Sequence, residues 1–227
     1  AAKLALKLRP FSGAVVTLAG HKHSVTRVLP CRDGRVVTCS RDTTLKVWHN
    51  GVLERTIDAH DADIDGAAVL PCGTRFISGS DDETAKLWTL DGALERTFHV
   101  DVGDMEGEVR SVVAMPDGEH FVVGLNDSGV RMYHVDGTLV HAFTPCSNHV
   151  VYDVAVTFDG QHIISGSWDR LVQVWNVASR SLVSTCVGHT NPVLAVAAMP
   201  DGQRILSGSS DATVRVWLLD GLSLIHI

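Results

Sequence analysis

The sequence predicts an all-β protein assembled from repeated units, each with about four short antiparallel strands. The first indication is a repeat of 40 to 45 residues in which an aspartate comes six residues before a tryptophan or tyrosine. The second is that apolar runs such as 35–38 and 193–196 are separated by turn-forming Asp-Gly pairs. The third is that no stretch has the 3.6-residue apolar periodicity of a helix. The repeated aspartates are Asp42, Asp82, Asp127, Asp169 and Asp211.

Each unit is too small to bury both faces of its sheet, so neighbouring units must stack on one another. Repeated four-stranded sheets of this kind indicate a β-propeller, in which each sheet is one blade. A first set of Asp-Gly turns joins the first two strands of a blade, and a second set follows the aromatic residue and leads into the outer strand. These turns lie at 33–34, 117–118, 159–160 and 201–202, and at 91–92, 136–137 and 220–221.

Three dipeptides that end in histidine stand in register with this repeat. Gly20-His21, Ala59-His60 and Gly188-His189 each precede an aspartate by about 22 residues and a tryptophan by about 28. With these features the chain resembles the WD-repeat family across nearly its whole length. The resemblance implies a propeller, which in this family usually has seven blades.

The chain is therefore expected to show five repeats and part of a sixth, as an incomplete fragment of a seven-bladed ring. Residues 1–19 are predicted to be the outer strand pair of a preceding blade, and both ends of the sequence resemble truncations. Residues 222–227 depart from the register of the other outer strands and are expected to be a non-native tail. The predicted repeats are 20–58, 59–98, 99–143 (divergent), 144–185 and 186–221.

The recurring His, Ser or Thr, Asp and Trp residues could be read as a catalytic triad, but an enzyme needs such a set only once. The family resemblance instead implies a structural hydrogen-bond chain from the indole through the hydroxyl and the histidine to the aspartate. Of Ser78 and Ser80, we expect the first to take part. The predicted members of this network are His21, Thr38, Asp42, Trp48, His60, Ser78, Asp82, Trp88, Asp127, Tyr133, Ser165, Asp169, Trp175, His189, Ser207, Asp211 and Trp217.

The third and fourth repeats depart from this pattern. In the third, Val123 replaces the hydroxyl residue and Tyr133 replaces the tryptophan. In the fourth, Cys146-Ser147 stands where Gly-His is expected. The departures are consistent either with drift or with specialisation for a partner.

The network would bring the histidine loops and the aspartate turns to one face of the ring, which we call the loop face. Residues next to these anchors should point outward, and in WD-repeat proteins such positions typically contact partners. Trp168 is notable because Trp175 already fills the buried position of that repeat, although Trp168 could instead pack on a neighbouring loop. The predicted partner-binding residues are Arg41, Asp65, Asp81, Arg110, Tyr152 and Trp168.

Composition excludes several classes of function. The 227 residues are 45% apolar, which is enough for a core, and 19 basic against 26 acidic residues give a net charge of −7. Without a basic surplus a nucleic-acid partner is disfavoured. The longest apolar run, Val193–Met199, is far shorter than the roughly 20 residues that span a bilayer, so no membrane is implied. Five scattered cysteines without a C-x-x-C pair indicate reduced thiols and a cytoplasmic location, with the nucleus as an alternative.

These observations predict a non-catalytic scaffold that binds other proteins or peptides. No catalytic residues are assigned, no cofactor or small-molecule substrate is implied, and the twelve histidines lack the spacing of metal ligands. One alternative is the propeller domain of a larger enzyme, such as a kinase or a ubiquitin-pathway protein. Another is a phosphopeptide- or ubiquitin-binding module, for which Arg41 and Arg110 alone are too few.

The segment 101–108 carries four carboxylates beside two glycines. Its spacing does not match a calcium-binding loop. A solvated loop is the simpler interpretation, and a basic peptide is the better hypothesis if it binds a ligand.

Overall fold

The structure, a computed structural model, describes residues 16–100, 107–126, 129–143, 149–220 and 223–226. Within these ranges the chain forms twenty strands and no helix. The strands make five four-stranded antiparallel sheets, each built from consecutive strands. The predicted all-β architecture of propeller blades is thereby confirmed, and we number the sheets blades 1 to 5 along the chain.

The strands are given from the inner to the outer strand of each blade. Blade 1 has β1 (Val25–Pro30), β2 (Arg35–Ser40), β3 (Thr44–His49) and β4 (Val52–Asp58). Blade 2 has β5 (Ile64–Val69), β6 (Arg75–Ser80), β7 (Thr84–Thr89) and β8 (Leu94–His99). Blade 3 has β9 (Val109–Ala114), β10 (His120–Leu125), β11 (Val130–His134) and β12 (Leu139–Phe143). Blade 4 has β13 (Val151–Val156), β14 (His162–Ser167), β15 (Val172–Asn176) and β16 (Ser181–Cys186). Blade 5 has β17 (Val193–Ala198), β18 (Arg204–Ser209), β19 (Val214–Leu218) and β20 (Ser223–His226).

Parts of both ends of the chain are described. Residues 16–19, predicted to belong to an outer strand, are not part of a strand. The segment 222–227, predicted to be a non-native tail, contains β20, which pairs with β19, Trp217 opposite Ser223; its origin stays a prediction. Backbone pairing at the edge of a sheet does not require the side-chain register on which the expectation rested.

Successive blades pack through their inner strands, which contact one another in the order β1, β5, β9, β13 and β17. The second strand of blades 2, 3 and 4 carries a glycine that receives a valine pair from the next blade. At Gly166, for example, an added Cβ would lie 2.7 Å from Val193 and 2.9 Å from Val196. Close approach of the sheets therefore depends on the missing side chain.

The apolar cores lie between blades, and each combines residues of two neighbouring sheets. The outermost faces are not covered in this way. Val28 on blade 1 is 60% exposed, whereas its counterpart Val112 on blade 3 is 6% exposed, and Val214 on blade 5 is 53% exposed. The arrangement of the described blades is therefore open between blade 5 and blade 1. None of the described segments forms a helix of the length and apolar character that crossing a membrane requires.

Candidate functional site

Blade 2 shows how the repeated polar residues are joined. The Trp88 indole N–H donates to the Ser78 hydroxyl at 2.9 Å, and that hydroxyl lies 2.7 Å from Nε2 of His60. Nδ1 of His60 lies 2.8 Å from the Asp82 carboxylate. These contacts fit one proton arrangement, in which the hydroxyl donates to Nε2 and the Nδ1–H donates to the aspartate. Ser78, rather than Ser80, occupies the central position.

The same chain occurs in blades 1 and 5 at nearly the same distances. In blade 1 the indole-to-hydroxyl distance is 2.8 Å and the hydroxyl-to-histidine distance is 2.7 Å. In blade 5 the two distances are again 2.8 and 2.7 Å. The residues are Trp48, Thr38, His21 and Asp42 in blade 1, and Trp217, Ser207, His189 and Asp211 in blade 5.

The aspartates of these chains are held in the charged form. Burial by itself would raise the pKa of Asp82, but hydrogen bonds from His60 and Thr84 outweigh it and hold the pKa well below its usual range. Asp42 shows the same balance, with Thr44, the Lys22 backbone and His21 as donors. A fixed carboxylate keeps each histidine in one tautomer, which in turn orients the hydroxyl.

A Ser-His-Asp series of this kind could in principle activate a nucleophile. Here the Ser78 hydroxyl is completely buried and already accepts the indole N–H. Thr38 and Ser207 are buried in the same way. The series therefore connects the third strand, which carries the tryptophan, through the second strand to the histidine loop and the aspartate turn.

Blades 3 and 4 lack the complete chain among the described residues. In blade 3, Val123 is buried at the hydroxyl position and Tyr133, at the tryptophan position, stacks on Phe121 with ring centroids 5.6 Å apart. In blade 4 the Trp175 indole donates to Ser165 at 3.2 Å. Asp169 caps the start of the next strand by accepting from the Leu171 N–H at 2.9 Å. Asp127, Cys146 and Ser147 lie outside the described residues, as do 101–106 of the acidic loop.

A cavity of about 440 Å³ opens at the centre of the loop face, and residues from the inner strands of all five blades line it. Four of the predicted partner-binding residues lie there, namely Arg41, Asp65, Arg110 and Tyr152. The fifth, Asp81, is next to the cavity and 3.0 Å from Arg110. The complete lining is Thr26, Arg27, Arg41, Asp65, Arg110, Asn126, Val150, Tyr152 and Leu194.

Arg27 is a lining residue that the sequence pattern did not identify. Alternation along a strand places Thr26 and Arg27 on opposite faces. A register shift between Val25 and Arg27 breaks that alternation, so both side chains reach the cavity. The Arg27 guanidinium lies 3.9 Å from Asp153 of blade 4.

The guanidinium groups at the cavity are engaged by carboxylates of the protein itself. Arg110 lies 2.9 Å from Asp65 and 3.0 Å from Asp81, and it also pairs with Glu108. Arg41 lies 3.4 Å from Asp65. Burial raises the pKa of Asp81 to about 6; Arg110 acts against this, while the charges of Asp65, Glu108 and Asp63 add to it. More carboxylates than guanidiniums are therefore gathered at this part of the rim.

Trp168 lies at a turn of blade 4, outside the central cavity. It is 54% exposed, whereas Trp175 of the same blade is 4% exposed. Its ring centroid lies 6.3 Å from that of Tyr152. It also lines a second cavity, of about 400 Å³, between blades 4 and 5. That cavity is lined by His149, Trp168, Asp169, Arg170, Thr190, Asn191 and Pro192.

The two aromatic rings therefore separate two neighbouring cavities on one face. Tyr152 belongs to the central cavity and Trp168 to the cavity between blades. Among the described residues no group of three or more His, Cys, Asp or Glu side chains could hold a metal ion.

Comparison with known proteins agrees with the repeat geometry. The family model described as "WD domain, G-beta repeat" matches residues 13–49, 51–89, 137–176 and 180–217, which together are more than half of the chain. The chain therefore belongs to the WD-repeat family. The unmatched stretch between the second and third of these segments contains most of blade 3, where Val123 stands at the hydroxyl position and Tyr133 at the tryptophan position.

Several curated proteins are similar to part of the chain. Nuclear distribution protein PAC1 of Arthroderma otae is 35% identical over 85 residues, covering 33% of this chain and 18% of that protein. Transducin beta-like protein 3 of Bos taurus is 36% identical over 101 residues, covering 35% and 13%. DDB1- and CUL4-associated factor 13 of Xenopus tropicalis is 33% identical over 87 residues, covering 37% and 19%. The match spans less than a fifth of each relative.

Proposed function

We propose that the protein is a non-catalytic scaffold that binds other proteins through the loop face, with Trp168 and Tyr152 at the centre of the contact surface. The observation that carries this proposal is the exposed Trp168 ring between two cavities. Exposed aromatic side chains next to concave surfaces are typical of residues that dominate binding energy.

The buried hydroxyls of the hydrogen-bond chains support the non-catalytic part of the proposal. Membership of the WD-repeat family supports the protein-binding part. One relative is named as a factor associated with DDB1 and CUL4, that is, with other proteins. The predicted residues Arg41 and Arg110 have a changed role in this proposal: they are held by carboxylates, so they shape the cavity rather than offer free charges.

The variant Trp168→Ala tests the proposal, and Trp175→Ala is the comparison for its effect on folding stability. Selection of random peptides on the purified protein supplies the ligands, and fluorescence anisotropy measures their dissociation constants. We expect Trp168→Ala to weaken binding more than about tenfold, that is by more than about 1.4 kcal/mol, as is typical when an interface hot spot is truncated. Its melting temperature should stay close to that of the unmodified protein. Peptides that all bind equally well to the Trp168→Ala variant would disprove the proposed surface.

A further inference from the structure

Carboxylates are unevenly distributed over the loop face. Seven of them belong to the loops, the turn and the first strand of blades 2 and 3. Four of these, Asp63, Asp65, Asp81 and Glu108, pair with Arg41 or Arg110 at the central cavity, whereas Asp82 is held by His60 and lies 4.0 Å from the Lys86 ammonium. The seven are Asp61, Asp63, Asp65, Asp81, Asp82, Glu83 and Glu108. We call this set the acidic rim.

The charges within the rim are not balanced internally. Arg110 neutralises part of Asp65, Asp81 and Glu108, and Arg41 lies 3.6 Å from Asp63 and 3.4 Å from Asp65. Asp61 and Glu83 are exposed. Burial raises the pKa of Asp81 to about 6, and the charges of Asp65, Glu108 and Asp63 add to the rise while Arg110 opposes it.

The rim continues into the aromatic surface. Asp65 and Arg110 line the same cavity as Tyr152, and Tyr152 contacts Trp168. A ligand that covers the aromatic pair and extends over the central cavity would thus meet the acidic rim. The whole chain is also acidic, with a net charge of −7, so its long-range field acts in the same direction.

We infer that the partner of the loop face is a basic linear segment of another protein, whose lysine or arginine side chains lie over the acidic rim while an apolar side chain contacts Trp168. This inference rests on the proposed function, because it names the class of partner for the same surface. Excess carboxylates next to a cavity favour a cationic guest and disfavour an acidic or phosphorylated one, which would have to displace carboxylates already bound to Arg41 and Arg110.

The peptide selection described above gives the first test. Peptides that bind the unmodified protein but not Trp168→Ala should carry a net positive charge. The selected peptide with the lowest dissociation constant is then measured against a triple variant, Asp61→Asn, Asp63→Asn and Glu83→Gln. We expect its affinity to fall by about tenfold at low salt and the difference to shrink as salt is added, because rim charges are screened.

A matched control removes the same number of charges elsewhere: Glu54→Gln, Glu95→Gln and Glu119→Gln, three exposed carboxylates away from the loop face. This variant should bind the peptide as the unmodified protein does. An equal loss in both variants would mean that only net charge matters and would overturn the inferred site. Trp168-dependent peptides that are acidic or neutral would overturn the basic partner and leave the loop-face function intact. If no selected peptide depends on Trp168, the proposed function itself fails.

Discussion

The Asp153 carboxylate of blade 4 accepts a hydrogen bond from the Ser111 hydroxyl of blade 3 at 2.8 Å. Its other oxygen accepts from the Val196 N–H of blade 5 at 2.9 Å, so one side chain connects three inner strands. The Ser111 oxygen also accepts from the Val154 N–H at 3.3 Å. The joints between the central blades therefore contain a polar connection as well as apolar packing.

Asp153→Ala is expected to lower the free energy of unfolding by about 2 to 4 kcal/mol, because it leaves the buried Ser111 hydroxyl and the Val196 N–H without this partner. Asp153→Asn retains an acceptor and the side-chain volume, and it removes a charge that burial disfavours, since burial raises the pKa of Asp153. It should cost no more than about 1 kcal/mol. Urea unfolding of both variants measures the difference. Equal losses would show that the charge, rather than the hydrogen bonds, is the stabilising element.

Asp81 should make stability depend on pH in a defined direction. Its pKa in the folded protein, about 6, lies above the ordinary value of 3.8. The folded state therefore binds a proton more tightly than the unfolded state, and this contribution to stability is lost as the pH rises from about 4 through 6. The melting temperatures of the unmodified protein and of Asp81→Asn are compared from pH 4 to 8. Relative to Asp81→Asn, the unmodified protein should lose melting temperature as the pH rises through 6, and the difference should level off above pH 7. A difference that is constant with pH would contradict the assignment.

Trp175→Ala and Trp168→Ala form a matched pair in one blade. Trp175 is almost completely buried and packs against Phe143 with ring centroids 5.7 Å apart. Its removal should cost about 3 to 5 kcal/mol through cavity formation. Removal of the more exposed Trp168 ring should lower the free energy of unfolding by less than about 1 kcal/mol. Thermal unfolding measures both, and a loss for Trp168→Ala as large as that for Trp175→Ala would show that Trp168 belongs to the core. Trp88→Ala in blade 2 should behave like Trp175→Ala.

The buried hydroxyls give a chemical prediction. A fluorophosphonate reagent that labels activated serines should not react with Ser78 or Ser207 in the folded protein, because both oxygens are buried and hydrogen-bonded to indole and histidine. Mass spectrometry of the treated protein measures the labelling, with a serine protease as the positive control. Stoichiometric labelling of either serine would revive the catalytic interpretation.

The repeat spacing predicts the strands, because they follow from a fixed sequence period. The hydrogen-bond chain was expected from the family resemblance, and its contacts are found in blades 1, 2 and 5. The partners of Arg110 could not be predicted in the same way. Asp65 and Asp81 are 45 and 29 residues away from it, and their contact depends on how blades 2 and 3 pack. Arg27 was missed because a local register shift changes the face on which it lies.

The glycine at the joint between blades provides a last prediction, with a control in the same chain. An added Cβ at Gly166 would lie 2.7 Å from Val193 and 2.9 Å from Val196. Gly166→Ala should therefore force blades 4 and 5 apart and lower the free energy of unfolding by about 1 to 3 kcal/mol. Gly208 occupies the corresponding position in blade 5, where the nearest atom to an added Cβ is that of Ala195, 4.0 Å away. Gly208→Ala should change stability by less than about 0.5 kcal/mol, because nothing in the described blades must move. Urea unfolding of the two variants measures the contrast. Equal effects would mean that the glycine is needed for the conformation of the strand itself and not for the packing of one blade on the next.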